Sequence, residues 1–157
     1  MLAAMLGTWR EQHLPQIVAN LANRPGHESV RTLVADILRY GFDVDYHEID
    51  HEVRLPEVHG RADTLFGSVV FEFKRDLRLE QGDVFARLPD YLSERERQTG
   101  RRFLGIASDG ATFIAYELRR GLLVEIGKHE PNPARRGAAR VVGACSFQPG
   151  RSPPRPR

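Results

Sequence analysis

The chain has 157 residues, of which 41% are hydrophobic and 28% are charged, values typical of one globular domain. This composition excludes collagen-like and wholly disordered proteins, and no apolar run approaches the roughly 20 residues that a bilayer crossing requires. The first residues lack the basic leader of a secretory signal, and the single cysteine, Cys145, cannot form an internal disulfide. We therefore expect a cytoplasmic protein with no membrane segment.

Charge is distributed unevenly along the chain. Residues 128–157 contain seven basic residues, one acidic residue and six of the ten prolines, so this stretch carries a net charge of +6. Because the whole chain carries +2, residues 1–127 carry −4. We expect residues 1–127 to form one folded domain, with a helical extension at 1–24, and residues 128–157 to form a basic, mostly disordered tail.

The first half of the predicted domain begins with two helical regions. The first covers residues 3–22 and is interrupted by Pro15. The second covers about 27–40, with one apolar face, and Glu28 lies in its first turn. Residues 42–55 alternate between apolar and polar side chains apart from a slip near His47, which predicts an extended segment with a bulge.

Residues 61–74 are typical of a β-hairpin, because Gly67-Ser68 suits a two-residue type II′ turn that begins with glycine. This turn fixes the strand pairing so that Asp63 faces Glu72. Side chains alternate between the two faces of a strand, so Lys74 shares the face of Glu72. Three titratable side chains are thus predicted to lie together on one side of the hairpin.

The second half of the domain continues with a helix at about 81–97 and three further strands. The strands are predicted at 103–107, 112–118 and 122–126, separated by turns at Asp109-Gly110 and Arg119-Arg120-Gly121. The resulting element order predicts an α/β sandwich around a mostly antiparallel sheet.

The predicted hairpin places two like charges in an unfavourable position. Directly opposed residues of antiparallel strands have Cβ atoms about 4.5–5.5 Å apart, and like charges there are destabilising. A cation between Asp63 and Glu72 would relieve the repulsion, and Mg²⁺ prefers sites with one or two carboxylates. Of the 23 basic residues 21 are arginine, so Lys74, the only lysine before the tail, stands out as a compact charged donor.

This pattern, Asp63 followed by Glu72-Phe73-Lys74 after a helix bearing Glu28, resembles the PD-(D/E)xK nuclease superfamily. The chain is most similar to N-terminal nuclease domains of restriction enzymes, such as type I R subunits and fused restriction-methyltransferase proteins. The motifs that carry the resemblance are Gly60-Arg61-Ala62-Asp63, Glu72-Phe73-Lys74, Arg87-Leu88-Pro89-Asp90-Tyr91 and Ser108-Asp109-Gly110. Two positions differ from the family pattern, with Ala62 in place of a proline and Arg87 in place of a glutamine.

The resemblance implies a restriction-endonuclease-like α-β-β-β-α-β core, with a mixed, mostly antiparallel sheet flanked by helices. It also implies Mg²⁺-dependent hydrolysis of DNA phosphodiester bonds, with Mn²⁺ able to substitute. Asp63 and Glu72 would bind the metal together with the Phe73 carbonyl, and Glu28 would reach it directly or through water. Lys74 would orient the attacking water and stabilise developing charge.

The implied substrate is DNA, and the implied partners are a methyltransferase or a helicase. Five arginines are candidates for DNA contacts: Arg61, Arg75, Arg87, Arg135 and Arg136. The basic tail is expected to add salt-sensitive, sequence-independent affinity for DNA. The oligomeric state does not follow from the sequence.

Other interpretations remain open at this point. The acidic and basic side chains of the hairpin would also suit an ordinary solvated strand face with a salt bridge. His47-Glu48-Ile49-Asp50-His51 fits the H-E-x-x-H signature of zinc metalloproteases, although that motif requires a helix and its flanks here alternate as in a strand. A third hypothesis is a truncated or inactive remnant of a larger restriction-modification protein that acts at most as a DNA-binding module.

Overall fold

The computed structural model describes residues 2–55 and 60–132. The helical elements in these ranges are α1 (Leu2–Gln12), α2 (Leu14–Ala22), α3 (His27–Asp36), a π-helical turn (Ile37–Gly41), a 3-10 turn (Tyr46–Glu48) and α4 (Leu77–Thr99). The strands are β1 (Ile49–Leu55), β2 (Gly60–Phe66), β3 (Val69–Phe73), β4 (Leu104–Ser108), β5 (Phe113–Arg119) and β6 (Leu122–His129). None of the helices in these ranges is long and apolar enough to cross a membrane.

The six strands form one open sheet in the order β1-β2-β3-β4-β5-β6. Neighbouring strands are antiparallel except β3 and β4, which are parallel and are connected through α4. The predicted α/β class with a mixed, mostly antiparallel sheet is confirmed. The hairpin register is also confirmed, because Leu65 pairs with Val70 on either side of Gly67, whose φ of 54° is the positive value the turn requires.

Helices cover both faces of the sheet. The residues that pack around α4 on one face include Val84, Leu88 and Leu92 from the helix and Leu65, Val70, Ala107 and Ile114 from the strands. The residues that pack around α2 and α3 on the other face include Ile17, Leu21, Val30 and Val34 from the helices and Val69, Phe71, Phe73 and Ile106 from the strands. The side chains of β3 therefore alternate between two apolar layers, as the sequence predicts.

Helix α4 is the element that follows the E-x-K strand, and it begins earlier than expected. It starts at Leu77 rather than at residue 81, because the Asp76 side chain accepts a hydrogen bond from the Arg78 N–H and caps the helix. It ends at Gly100, whose positive φ of 67° and bond to the Glu96 carbonyl form a left-handed C-terminal cap. Pro89 lies inside the helix without ending it.

Two boundaries differ from the prediction. Residues 42–55 are not extended throughout, because a 3-10 turn at Tyr46–Glu48 precedes β1, and the slip near His47 reflects this turn rather than a bulge. The Asp45 carboxylate accepts a hydrogen bond from the His47 N–H and holds the turn. Strand β6 continues through His129, so the sheet extends past residue 127; Cys145 and the rest of the predicted tail from residue 133 lie outside the described residues.

Asp109 joins three parts of the fold at the end of β4. Its side chain is fully buried and accepts hydrogen bonds from the Leu77 N–H at 3.0 Å and from the Thr112 N–H at 2.9 Å. It also forms an ion pair with Arg24, which follows α2, at 2.9 Å. The next residue, Gly110, has a φ of +89°, and a Cβ there would lie 2.6 Å from the Leu21 carbonyl oxygen. Asp109 therefore fixes the start of α4 against the strand end.

Replacing Asp109 with alanine is expected to lower the free energy of unfolding by about 3 kcal/mol or more. The substitution leaves the Arg24 charge and the Leu77 and Thr112 amides without their shared acceptor. Urea denaturation of the variant measures the loss, with the exposed Asp50→Ala on β1 as the matched control. A change of less than about 1 kcal/mol would show that the buried network contributes little.

Candidate active site

The candidate site lies where β2 and β3 separate. The recorded pairing of the two strands ends at Thr64 and Phe71, one step before the predicted pair of Asp63 and Glu72. In place of a backbone acceptor, the Asp63 Oδ2 accepts a hydrogen bond from the Phe73 N–H at 2.6 Å. The Phe73 N–H has no recorded backbone partner on β2, and the Asp63 carboxylate takes that place. This hydrogen bond holds Asp63 at the opening between the strands, beside Glu72-Phe73-Lys74.

Glu72 is buried in the middle of the sheet, with 4% of its surface exposed. One carboxylate oxygen, Oε1, lies 2.9 Å from the Lys74 Nζ. The other oxygen, Oε2, is buried without any hydrogen-bond partner among the described residues. A buried carboxylate oxygen without a donor is costly, so a cation or a hydrogen-bond donor at this atom would stabilise the carboxylate.

Lys74 is also buried, with 7% of its surface exposed, and it contacts a second acid. Its Nζ donates a hydrogen bond to Oδ2 of Asp83, on α4, at 3.2 Å. Asp83 was not among the predicted site residues, because no spacing rule relates a strand residue to one on the helix packed across it. The only available signal was the need of a buried lysine for acidic partners.

Burial dominates the electrostatics of the two carboxylates. It raises the pKa of Asp63 above its ordinary value, and the hydrogen bond from the Phe73 N–H offsets this only in part. Burial likewise raises the pKa of Glu72; the hydrogen bond from Lys74 opposes that shift, and the nearby Asp63 charge adds to it. Burial disfavours the charged Lys74, but its bonds to Glu72 and Asp83 outweigh burial and raise its pKa. The cluster therefore contains three carboxyl groups, those of Asp63, Glu72 and Asp83, around the single ammonium group of Lys74.

The metal-free protein should become more stable relative to a Glu72→Gln variant as the pH falls from 7 towards about 4.5. The raised pKa of Glu72 means that the folded state binds a proton more readily than the unfolded state, so this stabilisation is lost as the pH rises through the folded-state pKa. Denaturation of both proteins in EDTA across this range measures the difference. A difference that is constant with pH, or that grows towards neutral pH, would contradict the expected sign.

The donor set fits Mg²⁺ but not a metal that requires a full cage of side chains. Within residues 2–55 and 60–132, no three histidine, cysteine, aspartate or glutamate side chains form a group that would hold a metal ion. Mg²⁺ differs in this respect, because it is commonly bound by one or two carboxylates and keeps several water ligands. Asp63 and Glu72, with the unpartnered Oε2, meet that smaller requirement.

Glu28 lies in a neighbouring network rather than among the carboxylates. Its side chain is more than half exposed and forms ion pairs with His27, at 2.8 Å, and with Arg31. Arg31 also reaches Glu52 on β1 at 3.4 Å. The charges of His27 and Arg31 oppose the rise in the pKa of Asp63 that burial causes, so the network borders the candidate site. His27 and Arg31 engage the Glu28 side chain, and its contact with a metal, directly or through water, stays a prediction.

The predicted DNA-contact arginines have different surroundings. Arg75 is exposed directly after Lys74, and Arg87 is exposed on α4, where its charge lowers the pKa of Glu72. Arg61 lies on β2, and its side chain is outside the described part of the structure. Arg135 and Arg136 also fall outside the described residues. Two of the five candidates therefore lie near the cluster of Asp63, Glu72, Lys74 and Asp83.

The H-E-x-x-H motif does not have the geometry of a zinc site. His47 lies in the 3-10 turn and His51 lies on β1, so the two side chains are not one turn apart on a helix. The His51 Nδ1 is instead 2.9 Å from the Thr64 hydroxyl across the strand pair. His51 is therefore part of the β1–β2 strand pair, whereas His47 belongs to the turn before it.

The cluster combines the buried carboxylate of Glu72 with the half-buried Asp63 and with a lysine shared between two acids. One oxygen of Glu72 has no donor among the described residues. Perturbed pKa values of this kind cluster at functional sites, which makes the cluster a candidate site. No family model, no curated protein and no solved structure matches this chain.

Proposed function

We propose that this protein is a Mg²⁺-dependent nuclease that hydrolyses phosphodiester bonds of DNA, with a role in restriction or defence. The observation that carries the proposal is the buried Glu72, whose Oε2 has no donor, beside Asp63 at the opening between β2 and β3. A buried carboxylate with an unpaired oxygen beside a second, half-buried acid is costly for a purely structural strand face, whereas a divalent cation satisfies it.

The order of the elements supports the proposed PD-(D/E)xK core. The run α3-β1-β2-β3-α4-β4, with β3 and β4 parallel, agrees with the α-β-β-β-α-β order that the resemblance implies. In this arrangement β3 lies in the interior of the sheet, so the E-x-K residues are held from both sides. Rigid elements position reacting groups more accurately than loops do.

Each residue of the cluster has a role in this proposal. Asp63, Glu72 and the Phe73 carbonyl would hold Mg²⁺, which supplies charge stabilisation at the scissile phosphate and lowers the pKa of an attacking water. Lys74 donates hydrogen bonds from a compact ammonium group and would position that water or a phosphate oxygen. Arg75 and Arg87 would attract the phosphate backbone, because both are exposed beside the cluster.

Nicking of supercoiled plasmid DNA by the purified chain tests the proposal. The expected result is cleavage in Mg²⁺ or Mn²⁺ and none in EDTA, with nicks that DNA ligase reseals because they carry a 5′-phosphate and a 3′-hydroxyl. Cleavage that persists in EDTA would contradict a metal site. A well-folded chain that binds DNA without cleaving it would favour the inactive remnant.

A further inference from the structure

We propose that Asp83 is a positioning residue for Lys74, which keeps the ammonium group in place when a divalent cation binds Glu72. This inference rests on the proposed function and assigns a residue of α4 to the same site. The proposal is based on the two contacts of the Lys74 Nζ, which lies 2.9 Å from Glu72 Oε1 and 3.2 Å from Asp83 Oδ2.

The need for a second anchor follows from charge. In the metal-free protein the Lys74 ammonium neutralises one oxygen of Glu72. A divalent cation at the same carboxylate would repel that ammonium and compete with it for Glu72. A lysine held by Glu72 alone would then be displaced, whereas Asp83 holds Lys74 from the helix side.

Asp83 is placed accurately because the start of α4 is fixed. The Leu77 N–H donates to the buried Asp109, and Glu80 accepts hydrogen bonds from the backbone N–H groups of Arg75 and Asp76. The Lys74 N–H donates to the Ser108 carbonyl at 2.9 Å, so the end of β4 holds both the residue after β3 and the start of α4. These bonds fix the distance between the end of β3 and the first turns of α4.

The Lys74–Asp83 ion pair differs from an ordinary surface ion pair because one of its two side chains is buried. The Lys74 side chain is 8% exposed, whereas that of Asp83 is 53% exposed. If Asp83 contributed only its charge, its loss would weaken metal binding modestly through space and leave the position of Lys74, and therefore kcat, unchanged. If Asp83 restrains Lys74, its loss lowers kcat as well as the affinity for metal.

The test compares Asp83→Asn, Asp83→Glu and the control Asp90→Asn, which removes an exposed charge from the same helix. For Asp83→Asn we expect kcat for plasmid nicking to fall about tenfold, with KM for DNA changed less than about twofold, because the substitution misplaces a group without removing it. Calorimetric titration of Mg²⁺ without DNA should show an affinity about threefold weaker, since Lys74 then competes for Glu72 alone. Asp83→Glu should restore most of both values, and Asp90→Asn should match wild type.

Two results would overturn the inference and can be told apart from failure of the proposed function. If the wild-type protein binds Mg²⁺ and cleaves DNA but Asp83→Asn matches Asp90→Asn in kcat and in metal affinity, Asp83 has no positioning role. If Asp83→Glu is as impaired as Asp83→Asn, the carboxylate is not the functional element. If the wild-type protein neither binds Mg²⁺ nor cleaves DNA, the proposed function and this inference fail together.

Discussion

Replacing Asp63 with asparagine is expected to reduce Mg²⁺-dependent DNA cleavage by on the order of 10³-fold or more, because the proposed metal site would lose one of its two carboxylates. The asparagine oxygen can still accept the hydrogen bond from the Phe73 N–H, so the backbone at the opening of β2 and β3 is preserved. Loss of the Asp63 charge also removes a repulsion that raises the pKa of Glu72. The metal-free variant should therefore be at least as stable as wild type.

Plasmid nicking in Mg²⁺ measures the loss of cleavage, and the melting temperature in EDTA measures the stability of the metal-free variant. The exposed Asp50 lies on β1, the strand beside β2, and Asp50→Asn is the matched control that should leave both measurements unchanged. Cleavage by Asp63→Asn at the wild-type rate would exclude this site. A large drop in its melting temperature would mean that the charge of Asp63 has a structural role.

Replacing Lys74 with arginine is expected to lower the cleavage rate by on the order of 10²-fold while the fold survives. The ammonium of Lys74 fits between Glu72 and Asp83 in a buried position, at 2.9 and 3.2 Å from their oxygens. A guanidinium is planar and larger, so it keeps the charge but shifts the donor relative to a water or a phosphate oxygen. If only the positive charge mattered, arginine at position 74 would support the same cleavage rate as lysine.

The second lysine provides the control for this substitution. Lys128 lies on the edge strand β6, is exposed and pairs with Glu130 at 3.6 Å, so Lys128→Arg should leave the rate unchanged. Circular dichroism and Mg²⁺ titration would establish that Lys74→Arg still folds and binds metal. If Lys74→Arg cleaves DNA at a rate close to that of wild type, the only role of Lys74 is to supply positive charge that holds Glu72 in place.

The parts of the site that follow from local sequence could be predicted. Gly67-Ser68 sets the hairpin register, and alternation along β3 then separates Phe71 and Phe73 from Glu72 and Lys74. The predicted register is confirmed as far as Thr64 and Phe71, and the recorded pairing ends one step before Asp63 and Glu72, where the Asp63 side chain accepts a hydrogen bond from the Phe73 N–H. A turn sequence and the alternation of apolar and polar residues predict the register of a hairpin. They do not predict the point at which its two strands separate.

The contacts made between distant elements could not be predicted. Asp83 meets Lys74 because α4 packs across the sheet at a particular rotation, which depends on the whole core rather than on local spacing. Asp109 was expected in a turn between strands, but its full burial was not predicted; Arg24 and three backbone amides compensate its charge there. Glu28 stands in the first helical turn as predicted, where its side chain contacts His27 and Arg31, and its role at a metal stays a prediction.

The central claim is that Asp63 and Glu72 together bind a divalent cation, and anomalous diffraction from crystals soaked in Mn²⁺ tests it most directly. The expected result is an anomalous peak in direct contact with carboxylate oxygens of both residues, including the Glu72 Oε2 that has no protein donor. The peak should disappear in crystals of Glu72→Gln soaked under the same conditions. A peak elsewhere in crystals of a protein that cleaves DNA with Mn²⁺, or a peak unaffected by Glu72→Gln, would contradict the claim.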